Sequence, residues 1–204
     1  MKGLLIKDFY TLTKQLKMFL LIIVLFSLMQ GSSTASFAFV YSAMLPITAM
    51  AYDERSKWDK LAAMMPYSKR SIVIEKYLLG YICLAAVAVL SYIVKIASSL
   101  YLKEPVTAKI FIESLPVLCM AVLFLAVNLP CMFKLGVEKG RLIFIAFIAI
   151  IVVGGLALGD KITQWMVSLQ IDFAPFIIVL ILLTVAINVI SMALSIRFYT
   201  KKAG

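Results

Sequence analysis

The chain reads as an all-α membrane protein with six transmembrane helices, an interfacial helix at its N-terminus and a short cytoplasmic helix between the second and third spans. Three observations predict this class. Apolar residues fill 64% of the 204 positions, and mean hydropathy is +1.06, whereas soluble chains are about half apolar. The excess is gathered into six stretches, 17–32, 36–52, 72–100, 110–133, 142–158 and 174–198. A hydrocarbon core of about 30 Å needs about 20 such residues per helix, so the second and fifth stretches are short but long enough to count. Basic residues, finally, fall on one side. Of twenty lysines and arginines, four lie at or before the first residue of the first span, six in the run Tyr52–Tyr77, three after the fourth span and three at the chain's end. Only Lys95, Lys103, Lys109 and Lys161 fall on the other side. Positive-inside bias therefore puts both termini and the long loop in the cytoplasm of a multi-pass cell-membrane protein.

Residues 1–17 are too charged to insert, yet they are patterned. Leu5, Phe9, Leu12 and Leu16 fall on one side of a helical wheel with Lys7 and Lys14 opposite, as in a helix lying in the interface plane. Lys14 and Lys17 delay the apolar run and no clear small-x-small cleavage site follows, so the segment reads as a retained elbow helix rather than a signal peptide. The first span ends in the uncharged turn Gln30-Gly31-Ser32-Ser33-Thr34. Pro46 is expected to bend the second span, because its nitrogen cannot bond back one turn.

The third span carries Lys95 near its outer end, where the ammonium can snorkel to headgroups or face an outer vestibule. Glu113 opens the fourth span within reach of Lys109, and Asn128 with Pro130 marks a second expected bend. Residues 133–141 form a smaller cytoplasmic loop. The fifth span ends in a glycine-rich stretch. Gly155 and Gly159 make a G-x-x-x-G, which lets helix backbones approach closely in a membrane. Gly154 and Gly159 share P-loop spacing, but Asp160 stands where the lysine belongs, so that match is accidental. No internal repeat, linker or low-complexity tract divides the chain; it reads as one transmembrane domain over 1–204.

Between the second and third spans, residues 53–71 cannot sit in lipid. Trp58, Leu61 and Met65 share one stripe of a helix over 53–66, which Pro66 ends. Ser68 can cap the next helix, with Tyr67 and Ile72 as a hydrophobic staple. A solvated loop with its tryptophan at headgroup level is the plainer reading of the same residues.

Much chemistry is missing. With no histidine, His-based acid–base catalysis and the H-E-x-x-H zinc site are excluded. No span core holds two carboxylates for a proton relay, and no nucleotide motif is present. The chain is therefore expected to be no enzyme, to hold no cofactor or metal, and to depend on a partner for energy. Cys83, Cys119 and Cys131 all fall inside spans, as small apolar residues rather than a disulfide framework. The net charge of +10 suits anionic membrane lipids. It is dispersed over helix ends without an aromatic-basic platform, so nucleic acid is not an expected partner.

One run carries a resemblance: Asp53-Glu54-Arg55, then Lys57-Trp58-Asp59, then Met65-Pro66-Tyr67-Ser68-Lys69-Arg70, then Lys76-Tyr77. It resembles the cytoplasmic loop of ABC-2 type transporter permeases, and is most similar to the roughly 200-residue permease subunits of phenol-soluble modulin and similar peptide exporters. The resemblance implies a permease subunit of an ATP-driven exporter in a bacterial plasma membrane. It also implies a second permease chain, a separate ATPase subunit carrying ATP and Mg, and amphipathic or antimicrobial-type peptides as cargo. The 53–66 helix would be the coupling helix, with Trp58, Leu61 and Met65 as anchors. Asp53, Glu54, Arg55, Lys57, Asp59, Lys60, Lys69 and Arg70 would set its register. The second and fifth spans would line the dimer seam, bringing Pro46, Gly154, Gly155 and Gly159 to the pathway or seam, with Lys95 as a further pathway candidate. Two other classes stay open on the residues: a substrate-binding subunit of an energy-coupling-factor vitamin importer, and a non-transporting membrane immunity or sensor protein. The first span lacks the alanines by which such importers dock, and an immunity protein would copurify with no ATPase.

Overall fold

The computed structural model describes residues 3–13, 21, 38–39, 41–65, 67–102, 109–142, 145–146, 149 and 173–202. Six helices organise them: α1 over residues 3–13, α2 Leu45–Arg55, α3 Trp58–Met64, α4 Lys69–Leu102, α5 Lys109–Leu135 and α6 Phe173–Lys202. Three of these are long and apolar enough to cross a membrane, over Lys69–Val94, Ser114–Leu135 and Ile177–Lys201. They match the third, fourth and sixth predicted spans. The first and fifth predicted spans lie almost wholly outside the described residues. In the second, residues 41–43 are helical and a turn at Met44 precedes α2. Pro46 then occupies the first turn of α2, where a missing amide hydrogen breaks no helical bond. At the position of the expected bend there is thus a junction between two helical pieces.

The long helices pack on one another. α5 and α6 run parallel, with the Phe133 and Tyr199 rings edge to face at 5.6 Å. α4 runs antiparallel to both. Its Tyr81 hydroxyl donates to Asn188 Oδ1 on α6 at 2.8 Å, and its Tyr92 hydroxyl meets Ser114 Oγ on α5 at 2.6 Å. Ile47 of α2, Tyr77 of α4 and Leu125, Leu129 and Met132 of α5 belong to one buried core. α2, α4 and α5 meet at Gly80. A methyl there would lie 2.6 Å from Leu125 Cδ1 and 3.1 Å from Pro46 Cγ, so any side chain there would have to displace the buried Leu125.

α5 passes through Pro130 without ending. Proline has no amide hydrogen, so the carbonyl four residues back, on Ala126, loses its helical donor. Ser191 Oγ of α6 donates to that carbonyl instead. The Ser191 hydrogen being committed, the Tyr77 hydroxyl must be the donor in its 2.6 Å contact with Ser191, and Ser195 the donor to Tyr77 at 2.8 Å. A neighbouring serine re-satisfying a proline-freed carbonyl is how a membrane helix tolerates an internal proline.

Candidate functional site

The charged end of the bundle gathers α1, the end of α2, α3, the start of α4 and the chain just after α5. On α1, Leu4, Asp8 and Leu12 follow at four-residue steps and are all buried, so an acid stands in the middle of an apolar row. The partner of Asp8 is Lys76, whose side chain is 4% exposed. Lys76 Nζ donates to Asp8 Oδ2 and, at 2.6 Å, to Asp53 Oδ2. Lys7 Nζ donates to Asp53 Oδ1. It also lies 2.7 Å from Asp8 Oδ1, a charge contact without hydrogen-bond alignment. Glu75 Oε2 is 3.6 Å from Lys76 Nζ. Two cations and three acids thus tie α1, α2 and α4 together.

Burial pushes the Asp8 carboxyl up, but the charge and hydrogen bond of Lys76, with the neighbouring Glu75 and Lys7 groups, outweigh it and hold the acid below its usual range. A buried pair of this kind fixes geometry more than it adds net stability, while removing one member leaves a costly buried charge.

α2 does not run on into α3. Ser56 caps it, and Lys57 adopts a left-handed conformation with φ 54° and ψ 36°. A residue after the cap in this region is a common helix stop, usually filled by glycine. The single helix expected over 53–66 is therefore not formed. Asp53, Glu54 and Arg55 end α2, and the separate helix is the seven residues Trp58–Met64. Met65 is extended, and Pro66 lies outside the described residues. Beyond it, the Ser71 amide donates to Ser68 Oγ at 3.1 Å, the expected cap of α4, while Tyr67 packs on the core that includes Ile72.

α3 has two unlike faces. Trp58 and Ala62, four residues apart, pack on the bundle core, and Lys7 Nζ sits 4.3 Å from the Trp58 ring centroid in a cation–π contact. Leu61, Met64 and Met65 face outward, Met64 being 85% exposed. The expected stripe of Trp58, Leu61 and Met65 is thus divided, because the tryptophan turns inward onto Lys7. Likewise Phe9, grouped with Leu5 and Leu12 from the sequence, is exposed beside Ile6 and Tyr10. The buried row of α1 is set by Asp8.

Glu54 makes a second tie. Its Oε2 accepts from the Val137 amide at 2.7 Å, at the start of a helical turn over 137–142. Gly136, with φ +83°, lies directly under the carboxylate. The two loops are therefore joined by one side chain. Between them is a cavity of about 250 Å³ lined by Asp53, Trp58, Lys60, Lys76, Phe133 and Tyr199, among others.

Of the predicted contact residues, Arg55, Lys57, Lys60 and Arg70 are exposed around α3 and Lys69 is half-buried. Asp53 and Glu54 are spent on internal ties. The Asp59 and Lys95 side chains and Gly154, Gly155 and Gly159 lie outside the described residues. Sequence reasoning gave no site role to Lys7, Asp8 or Val137, and named Lys76 only within the Asp53–Tyr77 run. The signal for Asp8 was its place between Leu4 and Leu12.

A family model described as ABC-2 family transporter protein matches residues 3–200, nearly the whole chain. The chain belongs to the ABC-2 transporter family. It is a membrane component of an ABC transporter, of a family typically without a nucleotide site, and an ATPase partner is implied. No curated protein and no solved structure matches this ABC-2 chain. The family match covers α1 to α6, so the ion-paired end and α3 both fall within the ABC-2 region.

Proposed function

We propose that the chain is the permease subunit of an ATP-driven exporter, and that α3 is the helix through which a separate ATPase drives it. The observation that carries this reading is the division of α3. An outward ridge of Leu61, Met64 and Met65 is ringed by the exposed Arg55, Lys57 and Lys60. The opposite face, through Trp58, is held on Lys7 and so on the Asp8, Asp53 and Lys76 cluster. Apolar anchors ringed by charge suit a protein contact, with the charges supplying register. Displacement of α3 would reach α1, α2 and α4 through that cluster. Trp58 then transmits motion, and the leucine and methionines do the gripping.

The exposed basic residues of both loops and of the α6 end lie at this same end of the bundle, which supports a cytoplasmic orientation for it. α5 ends and α6 begins at opposite ends of the bundle, as a further crossing between them requires. Pairing of two permease chains, ATP and Mg on the partner, and export of amphipathic peptides rest on the resemblance of the Asp53–Tyr77 run.

The test is ATP turnover by the reconstituted transporter with Leu61→Asp and Met64→Asp. Each should weaken ATPase copurification and lower substrate-stimulated turnover at least about ten-fold, the scale of one interface hot spot, with thermal stability unchanged. Turnover at the wild-type rate in both variants would refute docking through α3, and a chain that copurifies with no ATPase would favour the immunity or sensor class.

A further inference from the structure

Along α6, on the flank it shares with Tyr81 of α4 and Val122 of α5, runs a groove of about 500 Å³. Its walls are Thr184, Asn188, Met192 and Ile196 in one row, Val185, Val189 and Ala193 in the next, with Tyr81 of α4 and Val122 of α5. From Thr184 to Ile196 the groove spans about 18 Å of helix. That is close to half of a hydrocarbon core of about 30 Å, the depth of one leaflet.

The wall is dry to any occupant, although three polar residues line it. Thr184 Oγ1 donates to the Leu180 carbonyl at 2.7 Å, Asn188 Nδ2 donates to the Thr184 carbonyl at 2.9 Å, and the Tyr81 hydroxyl donates to Asn188 Oδ1 at 2.8 Å. With these bonds made inside the wall, a hydrocarbon chain in the groove meets Thr184 and Tyr81 hydroxyls and an Asn188 carbonyl that already have partners. The second row continues past the groove at four-residue steps into Arg197 and Lys201, both exposed. A one-leaflet apolar slot thus opens beside two cations at the charged end.

We infer that this groove binds an anionic phospholipid as a resident ligand, with an acyl chain along Val185, Val189 and Ala193 and the phosphate against Arg197 and Lys201. Juxtamembrane cations of this kind attract acidic headgroups. A second copy of the chain is the poorer occupant. Both copies insert the same way up, so a symmetric contact along this row would set Arg197 and Lys201 against their own equivalents. The inference is independent of the ATPase contact on α3.

The test is native mass spectrometry of the full chain in detergent, titrated with phosphatidylglycerol or phosphatidylcholine of identical acyl chains. Saturable binding of one phosphatidylglycerol per chain is expected, with phosphatidylcholine about ten-fold weaker. Ala193→Trp should fill the slot and abolish binding, Ile190→Trp, on the exposed opposite side, should leave it intact, and Arg197→Gln with Lys201→Gln should erase the headgroup preference. Equal binding of both lipids, or full binding by Ala193→Trp, overturns the inference. So does Ala193→Trp dissociating a dimer while lipid binding is unchanged, which would assign the groove to a second copy.

Discussion

Ser191 of α6 supplies the hydrogen bond that Pro130 of α5 withholds from its own helix, by donating to the Ala126 carbonyl. A cost and its remedy thus sit on different helices, which makes them separable by mutation. Ser191→Ala should lower stability by roughly 1–2 kcal/mol, the upper range for interhelical hydrogen bonds in membranes. In a Pro130→Ala background residue 130 has its own amide hydrogen, and the same change should cost less than half as much. A double-mutant cycle read by thermal denaturation in detergent measures the difference. Equal costs in both backgrounds would mean the serine does not serve the proline.

The buried ion cluster should be intolerant of losing one member. Asp8→Ala strands Lys76 between fewer charges and should cost roughly 3–5 kcal/mol, as broken buried pairs do. Substituting the whole set, Lys7→Met, Asp8→Leu, Asp53→Asn, Glu75→Gln and Lys76→Met, should cost less than Asp8→Ala alone, because no unpaired charge remains. Melting temperatures of the variants decide this.

Acid should weaken the protein through the same aspartate. The native Asp8 carboxyl titrates below its usual value of 3.8, so the unfolded chain takes up the proton first as pH falls. Stability from Asp8 is fully present above the unfolded value, declines below about pH 4, and is lost as pH falls through the lower native value. Asp8→Asn should flatten the dependence of melting temperature on pH below about 4. An unchanged slope in that variant would place the acid sensitivity elsewhere.

Between the loops, Glu54→Ala removes the acceptor for the Val137 amide and should cost about 1 kcal/mol, as the loss of a helix cap does. Gly136→Ala should cost about 1–2 kcal/mol, because its φ of +83° is strained for any side chain. Both should speed proteolysis at 134–141. A rate matching wild type would mean the tie does not order that loop.

Lys57 invites the opposite experiment. Its left-handed conformation (φ 54°) suits glycine better, so Lys57→Gly should stabilise the α2–α3 junction by roughly 0.5–1 kcal/mol. A lower melting temperature would show that the lysine side chain has a role the backbone argument omits.

The three long helices were legible because their apolar runs end in charged or capping residues: α4 starts after Ser68 and α5 ends just past Lys134. The stop inside 53–66 was not, since a lysine in a left-handed conformation leaves no sequence mark where a glycine would. The inward turn of Trp58 was hidden for a related reason. A helical wheel ranks residues by hydrophobicity, and the cation that draws the tryptophan inward, Lys7, comes from a different helix. Asp8 shows the same limit, because an acid on an apolar face has meaning only once Lys76 is known to stand opposite. Pairings across sequence distance, 46 residues for Lys7 with Asp53 and 68 for Asp8 with Lys76, are fixed by tertiary structure rather than by local pattern.

Gly80 sets how these helices can rearrange. A Cβ at residue 80 would press on the side chains of Leu125 and Pro46, so turning α4 on its axis at that level would crowd α5 and α2. A crossing this tight suits a pivot better than a sliding contact. A tilt of α4 about it would swing the Lys76 end and the Lys95 end in opposite directions, so a small push below becomes a counter-movement above.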